Sequence, residues 1–259
     1  MPEFRRILIT GAAGSLGSHL RTGLAPLADR LRLTDIRDLG PAAPHEELVQ
    51  CDLADRAAAL ELARDCDAIV HFAGHPRELG FDEVMADVLP GSYHMFEGAR
   101  LHGARRVVYA SSIHAVGFHE VEAVPDTRAP HRPDTFYGLT KTFTEDLASL
   151  YWDKFGIESV MLRICSCFPE PRDRRMLWSW LSFPDMVRLV AAALTAIDAR
   201  QVRLNLRNVT RNDPPHVVPV TAPTVYVLPG TQVSAAARGT PAATAREQQC
   251  CRDSTQDGG

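Results

Sequence analysis

Tyr137 and Lys141 stand four residues apart in Tyr137-Gly-Leu-Thr-Lys141. That spacing puts both side chains on one face of a helix, within reach of one ligand. A tyrosine ordinarily ionises near pH ~10, and each unit of lowering corresponds to about 1.36 kcal/mol. Bringing a tyrosine to neutrality therefore takes roughly 4 kcal/mol of extra stabilisation of the phenolate. An adjacent ammonium and a second nearby positive charge act in that direction. The chemistry so enabled is removal of a proton from an alcohol while hydride leaves its carbon. Ser111-Ser112 follows an apolar run and offers a hydroxyl beside the reacting oxygen; the spacing to Gly117 favours Ser112. A Tyr-x-x-x-Lys spacing alone recurs by chance in many helices, so its meaning depends on what else the chain carries.

It carries a glycine loop. Gly11-Ala-Ala-Gly14-Ser15-Leu16-Gly17 follows a short apolar run and opens a helix-like segment. Gly11 suits a tight turn, Gly14 lets backbone approach a pyrophosphate at the helix N-terminus, and Gly17 lets helix and strand pack closely. Three spaced glycines are also compatible with a plain structural turn, but the flanking strand and helix point to a dinucleotide. Asp35 ends the second apolar run, eighteen residues after Gly17. A carboxylate there accepts both ribose hydroxyls and repels a 2′-phosphate, which selects NAD over NADP. Arg37 weighs against that selection, and a turn role for Asp35, like that of Asp38 and Gly40 nearby, is the alternative. Asp52-Leu53 reaches the adenine in one reading; in the other, Asp52 caps a helix beginning at Ala54. Phe72-Ala73-Gly74 places small residues where a dinucleotide lies against backbone. Tyr137 and Lys141 complete the cofactor set, Lys141 holding the nicotinamide ribose.

These residues need a scaffold, and the chain alternates strand-like and helix-like segments through residue 197. Strands are expected at Ile7–Thr10, Leu31–Asp35, Glu47–Cys51, Ala68–Phe72, Arg106–Ala110 and Ser159–Arg163. Helices are expected at Ser15–Leu27, Ala54–Arg64, Phe81–His102, Thr135–Phe155 and Met186–Ile197. Alternation of this kind implies right-handed crossovers and a parallel sheet covered on both faces. The fold class is α/β, a Rossmann-type doubly wound parallel sheet, with residues 1–197 as the NAD-binding domain. Substrate-binding elements begin at about residue 165. Residues 198–259 read as an atypical, largely irregular tail. Val202–Val209 alternates as a strand does and Val217–Leu228 suits extended chain between prolines. Beyond Gly230 the composition is too small and polar to offset ordering entropy.

Composition removes several classes of function. A net charge of -4 without a long basic run excludes a nucleic-acid footprint. No stretch approaches the ~20 apolar residues of a membrane span, and the start lacks a signal-peptide pattern. Six cysteines without paired C-x-x-C spacing suit neither zinc nor a disulfide scaffold. No metal is expected, His114 and His119 lacking a carboxylate or cysteine to complete a set, and reduced thiols in the cytoplasm are the expectation.

The chain resembles the extended short-chain dehydrogenases, the NAD-dependent epimerase/dehydratase family. The likeness covers about residues 5–195 and rests on Thr10-Gly-Ala-Ala-Gly14, Val49-Gln-Cys-Asp-Leu-Ala-Asp55, Ala110-Ser-Ser112 with His114 and Gly117, and Tyr137-Gly138 with Lys141. Arg163-Ile164, Ser166-Cys167, Pro169-Glu-Pro171 and Arg175-Met-Leu177, then Trp180, Ser182 and Asp185, extend it toward the uronate-oxidising branch. The resemblance implies Tyr137 as base with Ser112 and Lys141, Arg175 clamping a sugar carboxylate, and Ser166 and His114 on the sugar. The implied reaction oxidises the anomeric carbon of a hexuronate to an aldarolactone and yields NADH. It also implies self-association through the long helices around 81–102 and 135–155. Arg175 is alternatively part of a solvated Arg172–Arg175 face, and His114 a hydrogen-bonded core residue. Other enzymes of the family, sugar epimerases and dehydratases, and a non-catalytic dinucleotide-binding protein are the competing functions. Ile113 and Pro76 stand where the pattern has asparagine and serine, Val88 replaces an asparagine and Cys165 a glycine. The pattern beyond Ile197, a further strand and an aromatic-containing segment, finds no match in the sequence, and a changed reading frame near residue 198 is one explanation.

Overall fold

The computed structural model describes residues 2–75, 78, 80–120, 125–174, 176 and 179–196, and the backbone of 201–205. The elements in chain order are β1 (Phe4–Thr10), α1 (Ser15–Gly23), β2 (Ala28–Asp35), β3 (Glu46–Gln50), α2 (Arg56–Leu62), β4 (Ala68–His71), α3 (Phe81–His102) and β5 (Arg106–Ser112). They continue with α4 (Phe136–Phe155), β6 (Glu158–Ile164), β7 (Ser166–Cys167), β8 (Trp180–Leu181), α5 (Phe183–Thr195) and β9 (Gln201–Asn205).

Seven strands form one parallel sheet in the order β3-β2-β1-β4-β5-β6-β9. The expected doubly wound sheet is therefore present. Its strand order reverses between β1 and β4, and in such sheets ligands bind outside the carboxyl ends at that reversal. Thr10, His71 and Ser112 lie at those ends of β1, β4 and β5.

Two-residue periodicity divides the core between the faces. Ile7, Ile9, Leu31, Leu33, Val70, Val108, Val160 and Leu162 pack with Leu20 of α1, Leu24 just beyond its end, and Met186, Leu189 and Val190 of α5. Leu8, Ile69, Val107, Tyr109 and Met161 face the other way, onto α2, α3 and α4. Strands buried on both sides read as unbroken apolar runs, which is why they were visible in the sequence.

Boundaries differ where local chemistry intervenes. The helix expected to reach Leu27 stops at Gly23, and a 3-10 turn over Ala25–Leu27 follows, because Pro26 has no N–H to continue the ladder. Asp52 does not cap α2. Asp55 does, its side chain accepting from the amides of Ala57 and Ala58, while Asp52 accepts from Ala54 in a turn one step earlier. Ser182, accepting from Asp185 N, caps α5, which therefore starts at Phe183. The two-residue pair β7–β8 is too short to show periodicity in sequence. Past residue 197, β9 joins β6 in parallel over Gln201–Asn205, overlapping the start of the alternating stretch. The rest of that stretch, the segment 217–228 and the tail beyond Gly230 lie outside the described residues.

What fixes α4 on the sheet is a buried ionic cluster. Glu145 and Arg163 both have fully buried side chains, joined by hydrogen bonds of 2.9 and 2.7 Å. Ser111 of β5 donates to the same carboxylate at 2.6 Å, and His131 Nε2 lies 2.9 Å from it. Burial disfavours charge on Glu145, but hydrogen bonds from His131 and Arg163 and the Arg163 charge outweigh it and hold the carboxyl down to about 2. A lowered carboxyl contributes stability that is complete above its ordinary range and lost as pH falls through the folded value. The wild type is therefore expected to lose stability on acidification from about pH 4.5 toward about 2. Glu145→Gln leaves Arg163 buried without its countercharge and should cost about 3–5 kcal/mol at neutral pH. Denaturant titrations of both proteins across that pH range check both expectations, the variant showing the shallower acid dependence.

Candidate active site

The glycine loop joins β1 to α1 at the reversal. Gly11 has φ +70°, a left-handed conformation natural to glycine, and a Cβ there would lie 2.7 Å from Ala73 N. A Cβ on Gly17 would meet the Gly11 carbonyl oxygen at 2.0 Å. Both positions are closed to any side chain. Gly14 caps α1 with extended backbone and brings no side chain to its first turn, which opens with Ser15 and Leu16. Phe72, Ala73 and Gly74 follow β4 beside this loop.

Asp35 is buried at the end of β2. Its Oδ2 accepts from Ala13 N at 3.0 Å, and its Oδ1 accepts from Arg37 N and Nε at 3.0 and 3.3 Å. The carboxylate thus tethers the loop to β2, and Arg37 reaches back to within 3.6 Å of a Cβ built on Gly14. Asp38 accepts from Gly40 N in the expected turn. Asp52 is exposed, and Leu53 turns toward α3, its carbonyl meeting His94 Nδ1 at 2.8 Å.

The helix carrying the tyrosine is held at its first turn from three sides. Thr135 caps it, accepting from Gly138 N at 2.8 Å. Glu78, from the segment between β4 and α3, accepts from Phe136 N at 2.9 Å and Tyr137 N at 3.1 Å. The third hold is the 3-10 turn Ile113–Val116, whose His114 carbonyl passes so close that a Cβ on Gly138 would lie 2.4 Å from it.

Lys141 is buried, and its Nζ lies 5.0 Å from the centre of the half-buried Tyr137 ring. The same nitrogen lies 4.0 Å from a Cβ built on Gly74, so it faces the glycine-loop side. The serine pair divides its labour. Ser111 is committed to Glu145, and Ser112 is left at the strand end, accepting from His114 N at 3.2 Å. The His114 ring packs edge-on to Tyr137 at 5.7 Å between centres. Its Nδ1 is 2.8 Å from Asp134 Oδ1; since a carboxylate only accepts, Nδ1 carries the hydrogen, and in the neutral ring Nε2 is the acceptor.

Further out, Ser166 pairs with Ser179 at 3.1 Å between hydroxyls, on the β7–β8 ribbon beyond β6. Arg175 and Pro76 lie outside the described residues. The described part of the structure thus brings Tyr137, Lys141, Ser112 and His114 together beside the glycine loop, while Ser166 stands on a neighbouring ribbon and Asp52 on the surface. Sequence reading missed Asp134, Glu78, Tyr109 and Glu145. Only Asp134 left a trace: a Cβ on Gly117 would lie 2.1 Å from its carboxylate, so the Gly117 spacing records this contact.

The sequence profile of the NAD dependent epimerase/dehydratase family matches residues 7–181. The chain belongs to that family. It is 48% identical over 192 residues to uronate dehydrogenase from Pseudomonas putida, covering 74% of this chain and 72% of that one. A crystal structure of glucuronic acid dehydrogenase from Chromohalobacter salexigens is 44% identical, with TM-score 0.78, over 80% of this chain and 78% of the other. A mutant uronate dehydrogenase from Agrobacterium tumefaciens complexed with NAD is also 44% identical, with TM-score 0.75, over 77% and 76%.

The residues present fit the dinucleotide of this family. The loop at Gly11, Gly14 and Gly17 leaves space that side chains would fill, an acidic residue ends β2, and a buried lysine faces the loop. Among the described residues no group of three potential metal ligands occurs. Gly17→Ala is expected to weaken NAD binding by about tenfold or more, equal to about 1.4 kcal/mol, because backbone on both sides must shift. Calorimetric titration with NAD, alongside circular dichroism to confirm the fold, measures this.

Proposed function

We propose that this protein oxidises the anomeric carbon of a hexuronic acid, galacturonate or glucuronate, to the aldarolactone. It is an NAD-dependent oxidoreductase acting on a CH–OH group, and NAD when bound accepts the hydride. The observation that carries the reading is the Tyr137–Lys141 pair on α4, standing beside the glycine loop at the carboxyl ends of β1, β4 and β5.

Tyr137 takes the proton from the anomeric hydroxyl as the carbon gives up hydride, so one C–H and one O–H bond break and the lactone carbonyl forms. Lys141 stabilises the phenolate that does this, and its ammonium is also the group to hold the nicotinamide ribose. Ser112 donates to the reacting oxygen. His114 offers Nε2 to a sugar hydroxyl, with Asp134 fixing the tautomer. Ser166 contacts the sugar from the β7 ribbon. Arg175 clamps the carboxylate, a task suited to a guanidinium because it forms two parallel hydrogen bonds. Asp35 receives the adenosine ribose, Asp52 and Leu53 border the adenine, and Phe72–Gly74 lie along the dinucleotide. Ile113, 38% exposed at the site edge, offers no polar contact where the family pattern has asparagine, so specificity between the two uronates rests on other groups.

Exposed Phe81 and Met85 on α3 and Phe136, Leu139, Phe143 and Leu150 on α4 support pairing with a second copy through these helices. No helix among the described residues is long and apolar enough to cross a membrane. The free thiols of Cys51, Cys66 and Cys167 support a reducing compartment, the cytoplasm.

Net NADH formation with galacturonate or glucuronate, followed at 340 nm, tests the reading; an epimerase or dehydratase returns the hydride and accumulates none. Tyr137→Phe should lower kcat by a factor of about 10² or more while NAD affinity stays near wild type. A rate undiminished by that change sinks the assigned base. Arg175→Ala should raise KM for uronates by about tenfold or more, as expected when a charge-assisted contact is lost. Reaction confined to neutral sugars would refute the clamp.

A further inference from the structure

Lys141 sits between two tyrosines. Its Nζ is 5.0 Å from the centre of the Tyr137 ring and 4.7 Å from that of Tyr109, the β5 residue behind it. It donates to Tyr109 Oη at 3.1 Å and to the Ala110 carbonyl at 2.8 Å. Both partners are uncharged. A carboxylate at either place would neutralise the ammonium, whereas a phenol and a peptide carbonyl fix its position and leave its charge to act on Tyr137.

Tyr109 is itself tied down. It is almost wholly buried, its ring centre lies 5.3 Å from that of His71, and the Thr144 and Ser92 hydroxyls are near enough to act on its oxygen. Ser92 Oγ lies 3.4 Å from His71 Nε2, and His71 Nδ1 lies 2.8 Å from Thr10 Oγ1. Thr10 Oγ1 accepts from Ala73 N at 3.1 Å, immediately beside Gly11. The string crosses β5, α3, β4 and β1 and ends where the glycine loop begins. Burial pushes the Tyr109 hydroxyl well above its ordinary range. Burial, and then the Lys141 charge, push His71 down to about 3. Both links are therefore neutral throughout the working pH range, and with no titrating member the string holds geometry instead of storing protons.

We propose that Tyr109 is a positioning residue for the reaction, holding the Lys141 ammonium against Tyr137, with Ser92, His71 and Thr10 anchoring that hold to the base of the glycine loop. This rests on the dehydrogenase reading for its kinetic consequence and on the fold alone for the clamp.

The chain has two lysines, Lys141 and Lys154, which makes the clamp directly observable. In protein labelled with 15N-lysine and studied without NAD or sugar, exposed Lys154 serves as the internal reference. Tyr109→Phe keeps the ring and removes only the oxygen. The Lys141 ammonium protons should then exchange with water about tenfold faster or more, as when a hydrogen bond of about 1.4 kcal/mol is lost. In the enzyme assay kcat should fall about tenfold with KM for uronate within about twofold, and the acidic limb of kcat/KM should move up by roughly half to one pH unit. Thr144→Val, which removes a hydroxyl that acts on the Tyr109 oxygen at nearly constant volume, should move all three readouts in the same direction by less, and it serves if the phenylalanine variant does not fold.

A Lys141 signal and a pH profile that both coincide with wild type overturn the proposal, whatever happens to the melting temperature. Faster exchange in the variants of a protein whose wild type makes no NADH from any uronate upholds the clamp and strikes only the dehydrogenase reading.

Discussion

The rest of the architecture depends on one buried charge pair. Glu145 and Arg163 meet where α4 crosses β6, and Ser111 joins them from β5. Apolar packing alone lets a helix slide or roll over a sheet at small cost, because Leu, Ala and Met surfaces interlock in many ways. A carboxylate that must satisfy an arginine, a serine and a histidine has one acceptable place. Glu145 lies one helical turn beyond Lys141 and two beyond Tyr137, so fixing it fixes the pair. The serine it holds is the neighbour of Ser112. Buried ion pairs contribute little net stability compared with apolar substitutes; here what the pair supplies is register.

Charge in the site is arranged by the same economy. Where a structural charge is needed, as at Glu145, it is matched by opposite charge. Where a charge is proposed to act on a reacting group, as at Lys141, the partners found are neutral oxygens. Asp134 and His114 make an intermediate case, a carboxylate that orients an imidazole and leaves its second nitrogen facing outward.

The scaffold was largely legible because strands buried on both faces give continuous apolar runs, and because the glycine loop, Asp35 and the tyrosine–lysine spacing are local patterns. The helix expected near Phe81–His102 is present, and Gly103, at φ +79°, ends it. Asp55 was passed over in favour of Asp52 because both carboxylates precede the same helix and only backbone geometry selects between them. Tyr109 reads as one more apolar strand residue; nothing adjacent reveals that its oxygen meets a lysine 32 positions on. Glu78 and Asp134 are polar residues in loops, and their partners become neighbours only after the crossovers are made. Chemistry confined to one turn or one helix face is visible along a sequence, and chemistry assembled across strands is not.

Helix α4 has a practical consequence for handling the protein. Its two lysines are the only lysine side chains in the chain; one is enclosed under the site and the other stands exposed in the last turn, beyond the Glu145 anchor. Amine-directed coupling to a solid support or a dye will therefore find a single ε-amino group, on the end of the helix remote from Tyr137. Immobilisation through it presents the crevice outward and leaves the buried ammonium untouched.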